Sequence, residues 1–350
     1  MSLTPKTPIP TGAVRFNTDS SKMEVYIGST WMEVAVSTPN LDGGARGVFH
    51  SGRTSSGNPQ NTIDFITIST AGNAVDFGDS TQANESQNIG VVSSRTRGLN
   101  GGGYSSSSLQ NEIGFLTISS TGAHSDFGNL QSARRMAQSL SSATRGIFAG
   151  GLIDPNGQNT IDFVTIASTG NGVDYGDLIQ NRASGTGMAS PTRGLIIDGY
   201  LHPAVVANTF ITIATLGNAE EFGDSFDTST NRYGNMGISN SIRGLNGGGV
   251  TGSPGSITKY IESYQIATLG KGTNFGDLVA TTRSTGGIAS PTRGVFAGGR
   301  APADSDSSPS GPVDFIQYVS MQTESDTVDF GDLTQGRYEI SSMGNAHGGL

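Results

Sequence analysis

Cysteine is absent from the 350 residues, which excludes disulfide cross-links, thiolate metal sites and cysteine nucleophiles. Charge is scarce as well. Only 14% of the residues are Asp, Glu, Lys or Arg, and 20 basic residues against 29 acidic ones leave a formal net charge of -9. Without a lysine-rich run, the chain has little means to displace phosphate counterions or to adhere to an anionic bilayer, so neither nucleic acid nor a membrane surface is an expected partner. Long apolar runs are missing too: no stretch approaches the roughly eighteen residues that a membrane-spanning helix requires. The opening Met1-Ser-Leu-Thr-Pro-Lys6 lacks the apolar core of a secretory signal, so the chain is expected to be made, and to remain soluble, in a cytoplasm. A sustained helical period is also lacking, which points away from helical architectures.

Glycine is abundant, at 52 residues, and it is distributed periodically. A unit of about fifty residues recurs from Ala45 onward, opening with Arg-Gly at Arg46, Arg97, Arg145, Arg193, Arg243 and Arg293. A second mark follows each opening: Val75-Asp-Phe-Gly-Asp79 and Val328-Asp-Phe-Gly-Asp332, with near copies around Phe127, Tyr175, Phe222 and Phe275. The third unit is typical. Arg145-Gly-Ile-Phe-Ala-Gly-Gly151 reads as a strand (b), Ile161–Ile166 as an apolar strand (c), Ser168–Asn171 as a turn, Gly172–Asp177 as a strand (d) and Gly185–Ser190 as a small-residue strand (a). Short strands at this period predict an all-β, six-bladed β-propeller, with strand a lining the crowded centre. The chain enters at strand b and carries a surplus strand a at its far end. Aligning Arg337 with Arg283 therefore predicts that Arg337–Asn345 joins the sheet of Arg46–Asp79 and closes the propeller.

The order of these marks resembles kelch repeats, with Phe or Tyr in place of the usual Trp. The resemblance spans Arg46 to Leu350 and speaks to fold rather than activity. Kelch-fold oxidases that depend on a cysteine-modified tyrosine are excluded by the missing cysteine. Residues 1–40 stand apart from 41–350. They read as a three-strand β-meander, Gly12–Asn17, Lys22–Ile27 and Trp31–Val34. Gly12, Val14, Arg15, Phe16, Asn17, Thr18, Asp19, Tyr26, Gly28 and Trp31 match a short module of tail-fibre and other structural proteins of tailed bacteriophages. Phrases such as Ser290-Pro-Thr-Arg-Gly-Val-Phe-Ala-Gly-Gly299, and the His347-Gly-Gly-Leu350 ending, are similar to virion proteins of contractile-tailed cyanophages. The resemblance implies a virion protein of the tail or its surface, assembled in the host cytoplasm.

Several motifs that suggest chemistry have plainer readings. Asp76-Phe-Gly78 looks like a metal-binding kinase motif but recurs around the repeat, so it is expected to be scaffold. The Arg of each Arg-Gly is expected to bond the acid before the core aromatic, as in Arg46 with Asp76, and to tie strand b to strand d. Asp304–Gly311 resembles half a calcium loop without its closing Glu and reads as a solvated loop. His50, His124, His202 and His347 lack metal-ligand spacing. No cofactor or metal is expected.

Function is then expected where the repeats differ. The a–b and c–d turns are nearly uniform, whereas the b–c and d–a loops differ in every unit. The b–c/d–a face is therefore the expected binding face, with Tyr104, Tyr200, His202, Tyr233 and Arg300 as its best contacts. Phe16, Tyr26 and Trp31 are the expected attachment residues of the N-terminal module. The expected activity is non-enzymatic display of the propeller toward a host cell-surface glycan or protein, with other tail or fibre proteins and further copies of the chain as partners. The alternatives are a purely structural tail or capsid-surface subunit and a glycan-degrading tail enzyme. The last would need two carboxylates converging in one cleft.

Overall fold

A computed structural model describes residues 9–18, 22–33, 45–80, 90–105, 108–200, 207–226, 232–251, 255–302 and 311–350, and these residues are all-β, with no helix among them. The chain divides into two compact units, Met1–Gly43 and Gly44–Leu350. The larger unit contains, among the described residues, six antiparallel sheets in which strands a, b, c and d pair in that order. The third sheet is Gln138–Ser141, Arg145–Ala149, Asn156–Thr165 and Val173–Arg182. The first is composite: Ser341–Gly344 from the far end of the chain pairs with Arg46–His50, which continues through Thr62–Thr67 to Val75–Asp79. Each strand a contacts strand a of the next sheet, and that of the sixth sheet contacts that of the first.

Adjacent sheets are joined by buried apolar clusters, such as Val48, Ile63 and Phe77 of the first with Leu116 and Ile118 of the second, and also by backbone. The c–d turn of one sheet donates to the outer strand of the sheet before it: Gly170 N–H to Phe127 O (2.8 Å), Gly217 N–H to Tyr175 O (2.9 Å), and, from first sheet to sixth, Gly72 N–H to Phe330 O (2.7 Å). The glycine of Asp-Phe-Gly-Asp makes this approach sterically feasible. Gly128 and Gly331 hold φ of 149°, and a Cβ on either would collide with the carbonyl of Gly170 or Gly72. The repeated motif is thus an inter-sheet junction, as expected of scaffold.

The Arg-Gly arginines serve the same junctions, and here the expected partner is corrected. Asp76, Asp126, Asp174, Glu221 and Asp329 are exposed. Each guanidinium instead reaches a carbonyl of the following sheet: Arg46 to Ile118 (3.2 Å), Arg145 to Ile213 (2.9 Å), and Arg293 to Ile68 of the first sheet (2.9 Å). In five of the sheets it lies over the strand-c aromatic, 4.4 Å from the Phe65 centroid for Arg46 and 4.3 Å from Tyr318 for Arg293, whereas Arg243 lies over the strand-d Phe275. The strand-c ring meets the buried strand-d aromatic edge-on, as in Phe65–Phe77 at 6.0 Å. The uniform a–b turn has its own cause. Its Ser or Asn accepts the arginine's backbone N–H, as Ser190 does from Arg193 (3.0 Å) and Asn345 from Arg46 (2.7 Å).

A second set of arginines is buried beneath strand a. Arg337 pairs with Asp64 (2.8 Å) and donates to Phe49 O, while Arg134 pairs with Asp162 (3.2 Å) and donates to Phe148 O. Burial pushes the Arg134 guanidinium below its ordinary value and the Asp162 carboxyl above its own, so the pair is held against a desolvation cost. Arg232 has two acidic partners, Asp198 (3.1 Å) and Glu262 (3.3 Å). In the sixth sheet both halves change together. Thr282 replaces the arginine, and Gln317 replaces the acid, accepting from Val279 N–H (2.8 Å) and Thr327 Oγ1 (2.6 Å). In the second sheet Gly114 stands where the acid would be. The ring of His124 packs beside it and meets the fully buried His50 edge-on, with centroids 4.3 Å apart.

The strands a line an internal cavity of about 130 Å³. His347 lies at its a–b end, with Nε2 2.9 Å from Ser93 O. Burial holds His124 and His347 down to about 4 and depresses His50 as well.

Two stability measurements follow. Arg337→Ala leaves Asp64 buried and uncompensated and should cost about 3–5 kcal/mol in chemical denaturation. Arg337→Thr combined with Asp64→Gln, which copies Thr282 and Gln317, should recover most of that loss. A double variant as unstable as the single one would show that the pair does more than cancel its own charge. The histidines predict the acid side. Their depressed values mean that the unfolded chain takes up protons the folded one refuses, so their contribution is complete above about 6.5 and is lost as pH falls through about 4. The melting temperature should drop across that window, and His124→Asn should flatten the drop.

Candidate functional site

The two residues that follow each buried arginine, or Thr282 in its place, bring the chain to the b–c/d–a face. The second of them adopts a left-handed backbone: Met136 (φ 59°), Ser184 (61°), Gly234 (63°), Ser284 (55°) and Glu339 (58°). Their backbones form a run of hydrogen bonds from sheet to sheet, Glu339 N–H to Ser284 O (2.8 Å), Ser284 to Gly234 (2.7 Å), Gly234 to Ser184 (2.8 Å) and Ser184 to Met136 (3.0 Å). The residue before each of these bridges to the residue after the Gly-Gly of strand b, or after its counterpart. The pairs are Tyr338 with Arg53, Arg135 with Leu152, Ala183 with Tyr200, Tyr233 with Val250 and Arg283 with Arg300.

Two repeat offsets therefore place one band of side chains around the run. Tyr104, Tyr200, Tyr233 and Arg300, all expected from the sequence, belong to it. Tyr200 and Tyr233 meet edge-on at 5.5 Å, with Tyr200 46% exposed. Arg300 lies 5.4 Å from the Tyr338 centroid, and Arg135 lies 5.3 Å from that of Tyr104. His202 and the calcium-like residues 304–310 lie outside the described residues. Sequence reasoning missed Arg53, Arg135, Arg283, Tyr338 and Glu339. The signal was present for four of them. Arg53 stands at the same offset as Tyr104, Tyr200 and Arg300, and Arg135, Arg283 and Tyr338 at the same offset as Tyr233.

Glu339 is the one acidic residue at its position in the run. It pairs with Arg53 at 3.1 Å, and the charges of Arg283, Arg135 and Arg300 also act on it. Burial nonetheless pushes its carboxyl up to about 7, because desolvation outweighs the four arginines that pull the other way. The band divides into two sectors. The fourth and fifth sheets contribute Tyr200, Tyr233, Ala183 and Val250, whereas the sixth, first and third contribute Arg283, Arg300, Arg53 and Arg135. Asp154 accepts from Arg135 at 2.8 Å, so the four guanidinium groups outnumber the adjacent carboxylates. Among the described residues no group of His, Asp and Glu is arranged to hold a metal ion.

The N-terminal unit is a meander of Val14–Asn17, Lys22–Ile27 and Thr30–Glu33. Its register puts Val14, Phe16, Met23, Val25, Ile27 and Met32 on one face, and Arg15, Glu24, Tyr26, Trp31 and Glu33 on the other. The three expected attachment residues are thus divided. Trp31 and Tyr26 pack edge-on at 5.2 Å with Arg15 over the indole, while Phe16 is 57% exposed on the apolar face. Comparison with protein-family models and with curated proteins finds no match to this chain.

Proposed function

We propose that the chain is a non-enzymatic binding component of a bacteriophage virion. In this reading the six sheets form a six-bladed, kelch-like β-propeller closed by Ser341–Gly344, carried on the tail or a tail fibre with its b–c/d–a face toward a host-surface glycan or protein. One observation carries the binding assignment. The residues common to the repeats are used up in junctions and buried pairs, while the residues that vary gather as arginines and tyrosines in one band. Arginine and tyrosine on a rigid scaffold are the side chains that dominate binding hot spots. The virion assignment rests on the residues of the N-terminal module. Its apolar face of Val14, Phe16, Met23, Ile27 and Met32, each at least 41% exposed, supplies the attachment surface.

Replacing Tyr104, Tyr200 and Arg300 together with Ala should lower adhesion of the purified protein to host cells by at least about tenfold, at an unchanged melting temperature. Undiminished adhesion, with loss on changing the a–b turns, would move the binding face to the opposite end. Removing residues 1–40 should abolish incorporation into virions while leaving the remaining propeller folded. Normal incorporation would defeat the attachment role.

A further inference from the structure

On the reading that this face binds, we infer that its ligand is an acidic saccharide, with a sugar carboxylate seated among Arg53, Arg283 and Arg300 and a neighbouring sugar ring packed on Tyr200 and Tyr233. Three observations lead there. Within a chain of formal net charge -9, four guanidinium groups gather on one face around Glu339, with Asp154 as the other paired carboxylate. Such an excess is complementary to an anion and is costly to maintain without one. The seat also already accommodates a carboxylate, since Arg53 holds that of Glu339 at 3.1 Å. Planar guanidinium groups suit carboxylates in particular, through paired N–H donors. Finally, the adjoining sector presents an edge-on tyrosine pair, one ring of which is 46% exposed, and this is an apolar, partly polar-tipped surface suited to a sugar face. An inorganic anion would use the arginines without needing that aromatic sector.

The geometry links binding to pH. An incoming carboxylate enters beside Glu339, whose own charge opposes it, while Arg53, Arg135, Arg283 and Arg300 attract it. Protonating Glu339 removes the one repulsive charge of the seat. Because burial places its titration at about 7, the affinity should fall as pH rises through that value, by about tenfold between roughly pH 6 and pH 8 if only the protonated form accepts the ligand.

Titration calorimetry of the full chain with trigalacturonate tests this, with maltotriose and triglutamate as neutral and non-sugar controls. Trigalacturonate should bind, and both controls should bind at least about tenfold more weakly. Glu339→Gln should bind trigalacturonate at pH 8 as tightly as the unaltered protein does at pH 6, with no pH dependence between. Arg300→Gln, at an exposed position, should weaken binding without altering the melting temperature. Failure of trigalacturonate to bind, equal binding of triglutamate, or a pH dependence that survives in Glu339→Gln would each overturn the assignment. Host-cell adhesion, measured separately, keeps the two readings apart. Adhesion that trigalacturonate does not compete, and that Arg300→Gln does not weaken, overturns the saccharide site and leaves the binding role of the propeller intact. Trigalacturonate binding without any adhesion supports the site and removes the host-surface role.

Discussion

The close approach of one sheet's turn to the outer strand of the sheet before it is the constraint on which the larger unit depends. Buried apolar clusters lie across each pair of neighbouring sheets, and the backbone contacts set how closely those sheets can approach. Backbone groups add a second set of contacts, and these need positions without a Cβ. The Asp-Phe-Gly-Asp glycines, the Asn or Asp that receives an outer-strand N–H, and the arginine that reaches across to a carbonyl are parts of one junction. Asn171 accepts Asn129 N–H at 3.0 Å, and Asn73 accepts Asp332 N–H at 3.1 Å, so the same geometry recurs where the sixth sheet meets the first.

Repetition also separates what the fold uses from what it leaves available. Arg337 with Asp64 in one sheet becomes Thr282 with Gln317 in another, whereas in the fourth sheet Arg182 is kept opposite Thr209 and donates to the carbonyls of Ile196, Asp198 and Ala207. A buried charge is kept there only with a counter-charge or with several carbonyl acceptors around it. No such coupling governs the residue after Gly-Gly, which is Arg53, Tyr104, Leu152, Tyr200, Val250 and Arg300 in turn. Chemistry varies freely at this offset because the backbone bridge alone meets the structural need. That freedom makes the band a place where recognition can evolve without cost to the scaffold.

The sequence made the repeat count, the order of strands and the partner of the last strand legible, because each follows from offsets between marks. The alignment of Arg337 with Arg283 is one residue off, since Arg337 matches Thr282 in the fold, yet it was near enough to pair Ser341–Gly344 with Arg46–His50. The partner of the Arg-Gly arginine was not legible. Its carbonyl lies in the next sheet, 68 residues away in the case of Arg145, and no local pattern marks a carbonyl acceptor. Glu339 was hidden for another reason. Its equivalents are Met136, Ser184, Gly234 and Ser284, so the position is defined by a left-handed backbone rather than by residue type. The division of Phe16 from Tyr26 and Trp31 could have been read from strand alternation, had the meander been treated by face rather than by aromatic content.

Both ends of the inner region hold a partly buried ionisable group, and burial shifts each toward neutrality. His347 at one end falls to about 4, and Glu339 at the other rises to about 7. The consequences differ because the ordinary values differ. A histidine depressed from 6.5 becomes an uncharged wall at any pH near neutrality, and it serves by donating its Nε2–H to the Ser93 carbonyl. A carboxyl raised from 4.5 arrives at neutrality and stays responsive there. The same desolvation that fixes one end therefore makes the other adjustable. Four arginines around Glu339 supply the charge contrast through which that adjustment is felt by whatever approaches the face.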